Sequence, residues 1–172
     1  MNIQSTDFEL FGIPKQFSQD RTQIDVRWKE LQREAHPDRF AAQGPAAQRI
    51  AMQWSVRINE AYQRLKDPLK RASYLCELYG APINAENNTT MPVDFLMQQM
   101  QWREALDEAE NIDDLDKIML ESSSCEVEQL LEIEQALDGR RDFLAAARQV
   151  RNLMFIKRFA SEVVARIDQL EH

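Results

Sequence analysis

The chain is poor in the residues that catalytic and metal-binding chemistry most often uses. Of its 172 residues two are cysteine and two histidine, and one of those histidines is the terminal His172. Cys76 and Cys125 have neither the paired spacing of a metal site nor the density of a disulfide framework, so both are expected reduced and within helices, with no metal site. Four glycines form no phosphate-cradling loop, and no nucleophile motif is present. A hydrolase built on His36 and Asp38 would find no second histidine in the folded body. The expectation is therefore a protein that is not an enzyme and needs no cofactor. No run approaches 18 apolar residues, the length a membrane span requires, so no membrane association is expected. Residues Met1 to Asp7 lack both the basic and apolar parts of a secretory signal and the Arg-rich character of a transit peptide, which points to the cytoplasm.

What the chain does have is amphipathic helical sequence. Hydrophobic residues make up 44% of it, enough at this length for one medium core or two small ones. The net charge of −8 is unevenly spread: residues 1–75 carry 12 Lys and Arg against 9 Asp and Glu, and residues 76–172 carry 9 against 20. The two halves therefore face different partners. An acidic chain without a basic aromatic patch argues against nucleic acid as one of them.

Asp7 to Phe11 makes barely two turns of helix before Gly12 and Pro14 stop it. Ser18 offers an N-cap for a long helix running to about Ala35, with Ile24, Trp28, Leu31 and Ala35 on one face. Residues 39–44 read as a loop. Pro45 suits the first turn of a helix that runs to Lys66 and carries Ile50, Trp54, Ile58, Ala61 and Leu65. Asp67-Pro68 breaks it and starts a short fourth helix with Leu69, Ala72, Leu75 and Leu78. From Gly80 to Met91 the sequence turns to Gly, Pro, Asn and Thr, the composition of a linker.

Three more helices follow. The first opens at Pro92, capped by Thr90 or Met91, and runs to about Glu110. The second covers 112–137 with Leu115, Met119, Ser122, Leu130, Leu131 and Leu137 as its stripe. The third covers 143–170 with Ala146, Val150, Leu153, Ala160, Val164 and Ile167. Short connections favour a three-helix bundle, with an extended coiled coil as the structural alternative. The expected fold is all-α in two domains, 1–79 and 92–172, joined by a linker at 80–91.

The first domain is organised around His36-Pro37-Asp38. Pro37 disfavours helix in the residue before it and has no N–H to donate, so the tripeptide is a helix-to-loop corner. On a wheel with Trp28 at zero, Lys29, Arg33 and His36 fall at roughly 100°, 140° and 80°, a cationic strip beside the core face that leads into the corner. Such a strip reads as a docking surface. Spacing alone also fits the solvated side of a helix with an ordinary C-terminal histidine facing the dipole.

This stretch resembles a J domain, a fold with a short first helix, two long antiparallel helices and a His-Pro-Asp loop between them. Phe8-Glu9-Leu10-Phe11-Gly12-Ile13-Pro14 matches the opening helix and its stop. Ile58-Asn59-Glu60-Ala61-Tyr62 with Leu65-Lys66-Asp67-Pro68 matches the end of the third, and Lys70-Arg71-Ala72-Ser73-Tyr74 continues into the fourth. Ala35 stands where these domains commonly carry Tyr. The resemblance implies that His36, Pro37, Asp38, Lys29 and Arg33 bind a heat-shock cognate ATPase.

In the second domain the helix after Pro92 has an apolar surface too wide for one neighbour. Taking Trp102 as zero, Phe95, Ala105, Leu106 and Ala109 lie within about 60°, whereas Leu96, Met97, Met100 and Glu104 lie between roughly 120° and 220°, with Gln101 and Glu108 beside them. Phe155 is likewise off the main stripe of the last helix. Leu and Met beside carboxylates away from the core suggest a partner-binding patch. Burial of both faces, against the two neighbouring helices or against the first domain, would account for the pattern as well, since each of three helices meets two others.

The whole chain is similar to the HscB family, J-type co-chaperones of iron–sulfur cluster assembly. The match runs through Phe95-Leu96-Met97-Gln98-Gln99-Met100, Arg103-Glu104, Leu106-Asp107-Glu108 and Arg151-Asn152-Leu153-Met154-Phe155. The resemblance implies two partners, an HscA-like ATPase and an IscU-like scaffold protein, the latter bound by Leu96, Met97, Met100, Gln101, Glu104, Glu108 and Phe155. Gln101 departs from the family, which can carry an acidic residue there. A J-domain co-chaperone with a different client is the alternative.

Overall fold

The computed structural model describes residues 2–84 and 91–172; residues 85–90 of the expected linker lie outside the described residues. Among the described residues there are seven α-helices: α1 (Asp7–Phe11), α2 (Arg21–Glu34), α3 (Pro45–Lys66), α4 (Pro68–Leu78), α5 (Val93–Glu108), α6 (Ile112–Glu134) and α7 (Phe143–Glu171). No strand occurs among the described residues. The chain divides into two compact units, Met1–Leu75 and Cys76–His172, with α4 crossing the division.

The first unit is a helical hairpin of α2 and α3 with α1 packed on it. Thr6 caps α1 by accepting from the Glu9 N–H, and Gly12 ends it in the left-handed conformation, φ 64°. Phe8, Leu10 and Phe11 are buried beside Ile24 and Leu31 of α2 and Ala51, Ile58, Ala61 and Leu65 of α3. Each such large apolar side chain, fully buried, contributes about 1.5–3 kcal/mol. Asp7 is wholly buried with them. Its carboxylate accepts from Arg64 Nε and Nη2 at 2.6 and 2.9 Å. Arg57 Nη1 stands 2.8 Å away without the alignment of a hydrogen bond. Along the hairpin Trp28 stacks on Tyr62 with centroids 4.4 Å apart.

Two boundaries differ from the sequence expectation here. Asp20, not Ser18, caps α2, accepting from the Thr22 N–H. The carboxylate reaches the second helical amide and brings negative charge to the positive helix end, an advantage Ser18 lacks. The expected loop at 39–44 is mostly a 3₁₀ turn, Pro37–Gln43, with Pro37 at its first position.

In the second unit α5, α6 and α7 form the expected three-helix bundle. Its core joins Trp102 and Leu106 of α5 and Ala109 just beyond it to Leu115 and Ile118 of α6 and Ile156, Phe159 and Val163 of α7. Trp102 stacks on Phe159 at 5.3 Å. Ala105, expected on the core face, is exposed. On α7 the stripe holds through Ala146, Val150 and Leu153, then runs through Ile156, Phe159 and Val163 and leaves Val164 in solvent. Both continuations satisfy a 3.6-residue period, and the bulkier side chains take the inside. On α6, Ile118 and Ile133 are buried while Leu131 is exposed. The helix also ends earlier than expected: Gln135–Gly139 is a single π turn with Ala136 and Leu137 buried, closed by Arg140 N–H donating to the Gln135 carbonyl at 2.8 Å.

Candidate partner-binding surfaces

The corner of the first unit is built by α2 ending against Pro37. Ala35 closes the helix, its N–H donating to the Leu31 carbonyl, and His36 turns extended at φ −63°, ψ 129°. From there the imidazole Nδ1 accepts from the Asp38 backbone N–H at 3.2 Å. With Nδ1 so engaged, the neutral ring carries its proton on Nε2, the donor it can offer outwards. The His36 side chain is 58% exposed and the Asp38 carboxylate 91% exposed, with the two 3.7 Å apart. The corner thus presents one imidazole N–H and one carboxylate to solvent, on a backbone stiffened by proline.

Two bonds brace it from beneath. The Ser55 hydroxyl donates to the Ala35 carbonyl at 3.3 Å, and the Gln32 side-chain amide donates to the Ser55 carbonyl at 3.3 Å. The pair leaves no trace in the sequence, since nothing in residue spacing matches a hydroxyl on one helix with a carbonyl at the end of another. Arg39 adds a long contact to the Arg33 carbonyl at 3.5 Å. Lys29 and Arg33 are both exposed on the α2 face that leads to His36. Of the strip read from the wheel, Lys29 and Arg33 are thus solvent-facing on α2, whereas His36, exposed as well, lies beyond the end of that helix in extended backbone.

On α5 the second set is exposed as well. Leu96 is 46% exposed, Met97 55% and Met100 63%, and Gln101, Glu104 and Glu108 are in solvent. Burial on both sides is thereby excluded for this helix. Met97, Met100, Gln101, Glu104 and Glu108 line one shallow groove together with Gln99, Arg103 and Asp107. Leu96 and Phe155 are not among its walls; Phe155 is half-buried on α7, with the Arg158 guanidinium over its ring at 5.9 Å.

The groove stays open because the other side of α5 is firmly held. Trp102 and Leu106 are in the core, and Arg103, from the wall of the groove itself, pairs with Glu162 of α7 through two hydrogen bonds. That pairing holds the Glu162 carboxyl below the ordinary glutamate range. A surface of exposed thioether and Leu side chains rimmed by carboxylates can bury apolar area against a partner and orient it through its rim charges.

A family model described as the HscB C-terminal oligomerisation domain matches residues 91–164. The chain is 49% identical to a co-chaperone protein HscB homolog of Burkholderia cenocepacia, over 99% of each chain. It is 48% identical to the homolog of Burkholderia multivorans, again over 99% of each. Among solved structures, the chaperone HscB from Vibrio cholerae superposes with a TM-score of 0.82 at 35% identity, covering 96% of this chain and 99% of that one. The human co-chaperone protein HscB superposes with a TM-score of 0.90 at 24% identity over 96% and 84%, a likeness of fold.

Proposed function

This chain belongs to the HscB family of co-chaperones, all-α proteins with an N-terminal J domain and a C-terminal helical bundle, and on that premise we propose that it joins an HscA-like heat-shock cognate ATPase to an IscU-like scaffold protein in the maturation of iron–sulfur proteins. The observation that carries this reading is the presence in one chain of two unlike exposed surfaces on separate units. One is a cationic strip ending in an imidazole and an exposed carboxylate; the other is an exposed Leu/Met face on α5 whose methionines line a groove edged by acids.

In this reading His36, Pro37 and Asp38 engage the ATPase. Pro37 fixes the direction of the corner, Asp38 offers its carboxylate to a cationic group, and His36 Nε2 donates to an acceptor. Lys29 and Arg33 steer the encounter with acidic surface, an effect on association rate more than on lifetime. Stimulation follows from differential binding: the corner prefers the hydrolysis-competent conformation of the ATPase over its resting one. Leu96, Met97, Met100, Gln101, Glu104, Glu108 and Phe155 hold the scaffold. Tethering raises the scaffold's effective concentration at the chaperone without a new contact. The cluster is cargo, the bond-breaking chemistry is the ATPase's own, and the setting is the cytoplasm.

A steady-state ATPase assay on the HscA-like chaperone, with this protein, the scaffold and both together, tests it. His36→Gln should abolish stimulation while leaving scaffold affinity unchanged. Stimulation by the variant equal to that of the native chain would sink the reading.

A further inference from the structure

Beneath the His36-Pro37-Asp38 corner lies a cavity of about 400 Å³ that no step of the proposed function uses. It sits wholly within the first unit, between the end of α2, the 3₁₀ turn and the first half of α3, with Leu10 of α1 at its wall. Three alanines, Ala35, Ala47 and Ala51, face it from α2 and α3, and small side chains converging from two helices leave the space unfilled. The rest of the wall is Leu31, Ile58 and the two aromatic residues Phe40 and Trp54. Side-chain polar groups come from Glu34 and Gln43, both exposed at the rim as is Ile50 at 56%, and from the indole N–H of Trp54.

Ordered water needs two to four polar partners, and away from the rim the side chains of this wall carry at most one, the Trp54 indole N–H, whereas an apolar cavity of about 150 Å³ is already large enough to take benzene. The present space is more than twice that and falls in the range of ligand pockets, about 300–1,000 Å³. Phe40 and Trp54 supply ring faces for stacking.

We propose that the cavity is a binding site for an uncharged aromatic molecule of one or two fused rings. A carboxylate or ammonium buried there would lose its hydration with no counter-charge inside, so the ligand is neutral. Its position gives it a consequence. Ala35 precedes the corner directly and Phe40 follows it within the 3₁₀ turn, so a seated ring touches the chain on both sides of His36-Pro37-Asp38 and restricts how that corner moves.

Indole is the probe, titrated into the full chain up to its solubility limit and followed by amide and methyl NMR. Saturable shifts should appear at Leu31, Ala51, Trp54 and Ile58 and be absent from the second unit. Ala35→Leu and Ala47→Leu each place a side chain in the space; each, shown folded by its own spectrum, should weaken indole binding by about tenfold or more, as lost cavity volume requires. Ala47 is only partly buried, so its variant keeps the test in hand if Ala35→Leu fails to fold. Absence of saturable shifts in the native chain overturns the proposal. So does undiminished binding in a folded, cavity-filled variant, or shifts spread evenly over both units.

Discussion

Replacing Leu96, Met97 and Met100 together by Ala tests the exposed α5 face most directly, because the size of the effect can be worked out from exposure. Burying a Leu or Met side chain completely contributes about 1.5–3 kcal/mol. A partner can bury only what the free chain leaves exposed: 46% of Leu96, 55% of Met97 and 63% of Met100. Scaling gives about 0.7–1.4, 0.8–1.7 and 0.9–1.9 kcal/mol, and the alanine methyl keeps part of each. The triple variant should therefore lose about 2–4 kcal/mol of binding, a dissociation constant roughly thirty to a thousand times weaker. Because these side chains lie outside the core of Trp102, Leu106, Phe159 and their neighbours, the bundle should keep its helicity and its melting temperature. Isothermal calorimetry with the purified scaffold measures the affinity, and circular dichroism shows the fold. A folded triple variant that binds within about threefold of the native chain, under 1 kcal/mol, would refute the assignment of this face.

Asp7→Ala leaves Arg57, whose side chain is 14% exposed, without its counter-charge, while Arg64 at 38% can turn to water. The first unit should lose about 3 kcal/mol, the lower end of what breaking a buried pair costs, and urea unfolding that shows a loss below about 1 kcal/mol would contradict it. Reversing Lys29 and Arg33 to Glu should slow association with the ATPase, and the difference from the native chain should shrink as salt rises from about 0.05 to 0.5 M and shortens the screening length; a rate gap in stopped-flow that ignores salt would count against steering. Burial pushes the Cys76 thiol up to about 11 against the opposing pull of Arg151, and burial raises Cys125 as well. Since the thiolate is the reactive form, a disulfide reagent at about pH 8 should modify half-buried Cys125 first and reach Cys76 only on unfolding; two equally fast thiols in the native chain would show that α4 opens readily.

The parts of this fold that could be read from the residues are those where a side chain acts on its own backbone. Gly12 stops α1, Pro37 ends the run of α2, Pro45 opens α3 and Pro68 opens α4, each through a restriction that needs no tertiary partner. Where a choice depended on what another helix presents, the sequence allowed more than one answer. Ile156, Phe159 and Val163 and the expected Ala160 and Val164 are all spaced for a helix, and the packing of Phe159 on Trp102 picks between them. Ser55 under the corner and Arg103 on Glu162 were invisible for the same reason, being contacts between residues 20 and 59 positions apart. The α5 face is the instructive case. Its periodicity was compatible with burial on two sides or with a partner on one, and no property of Leu96, Met97 or Met100 alone separates these. What separates them is where the neighbouring helices meet α5: the core side chains of α6 and α7 pack on Trp102 and Leu106, and the other large apolar side chains of α6, Leu120, Val127 and Leu131, stay in solvent instead of covering the far side of α5. Exposure there is thus a consequence of how the rest of the bundle is satisfied, and a change that loosens the Trp102–Phe159 contact should weaken partner binding without touching the groove itself.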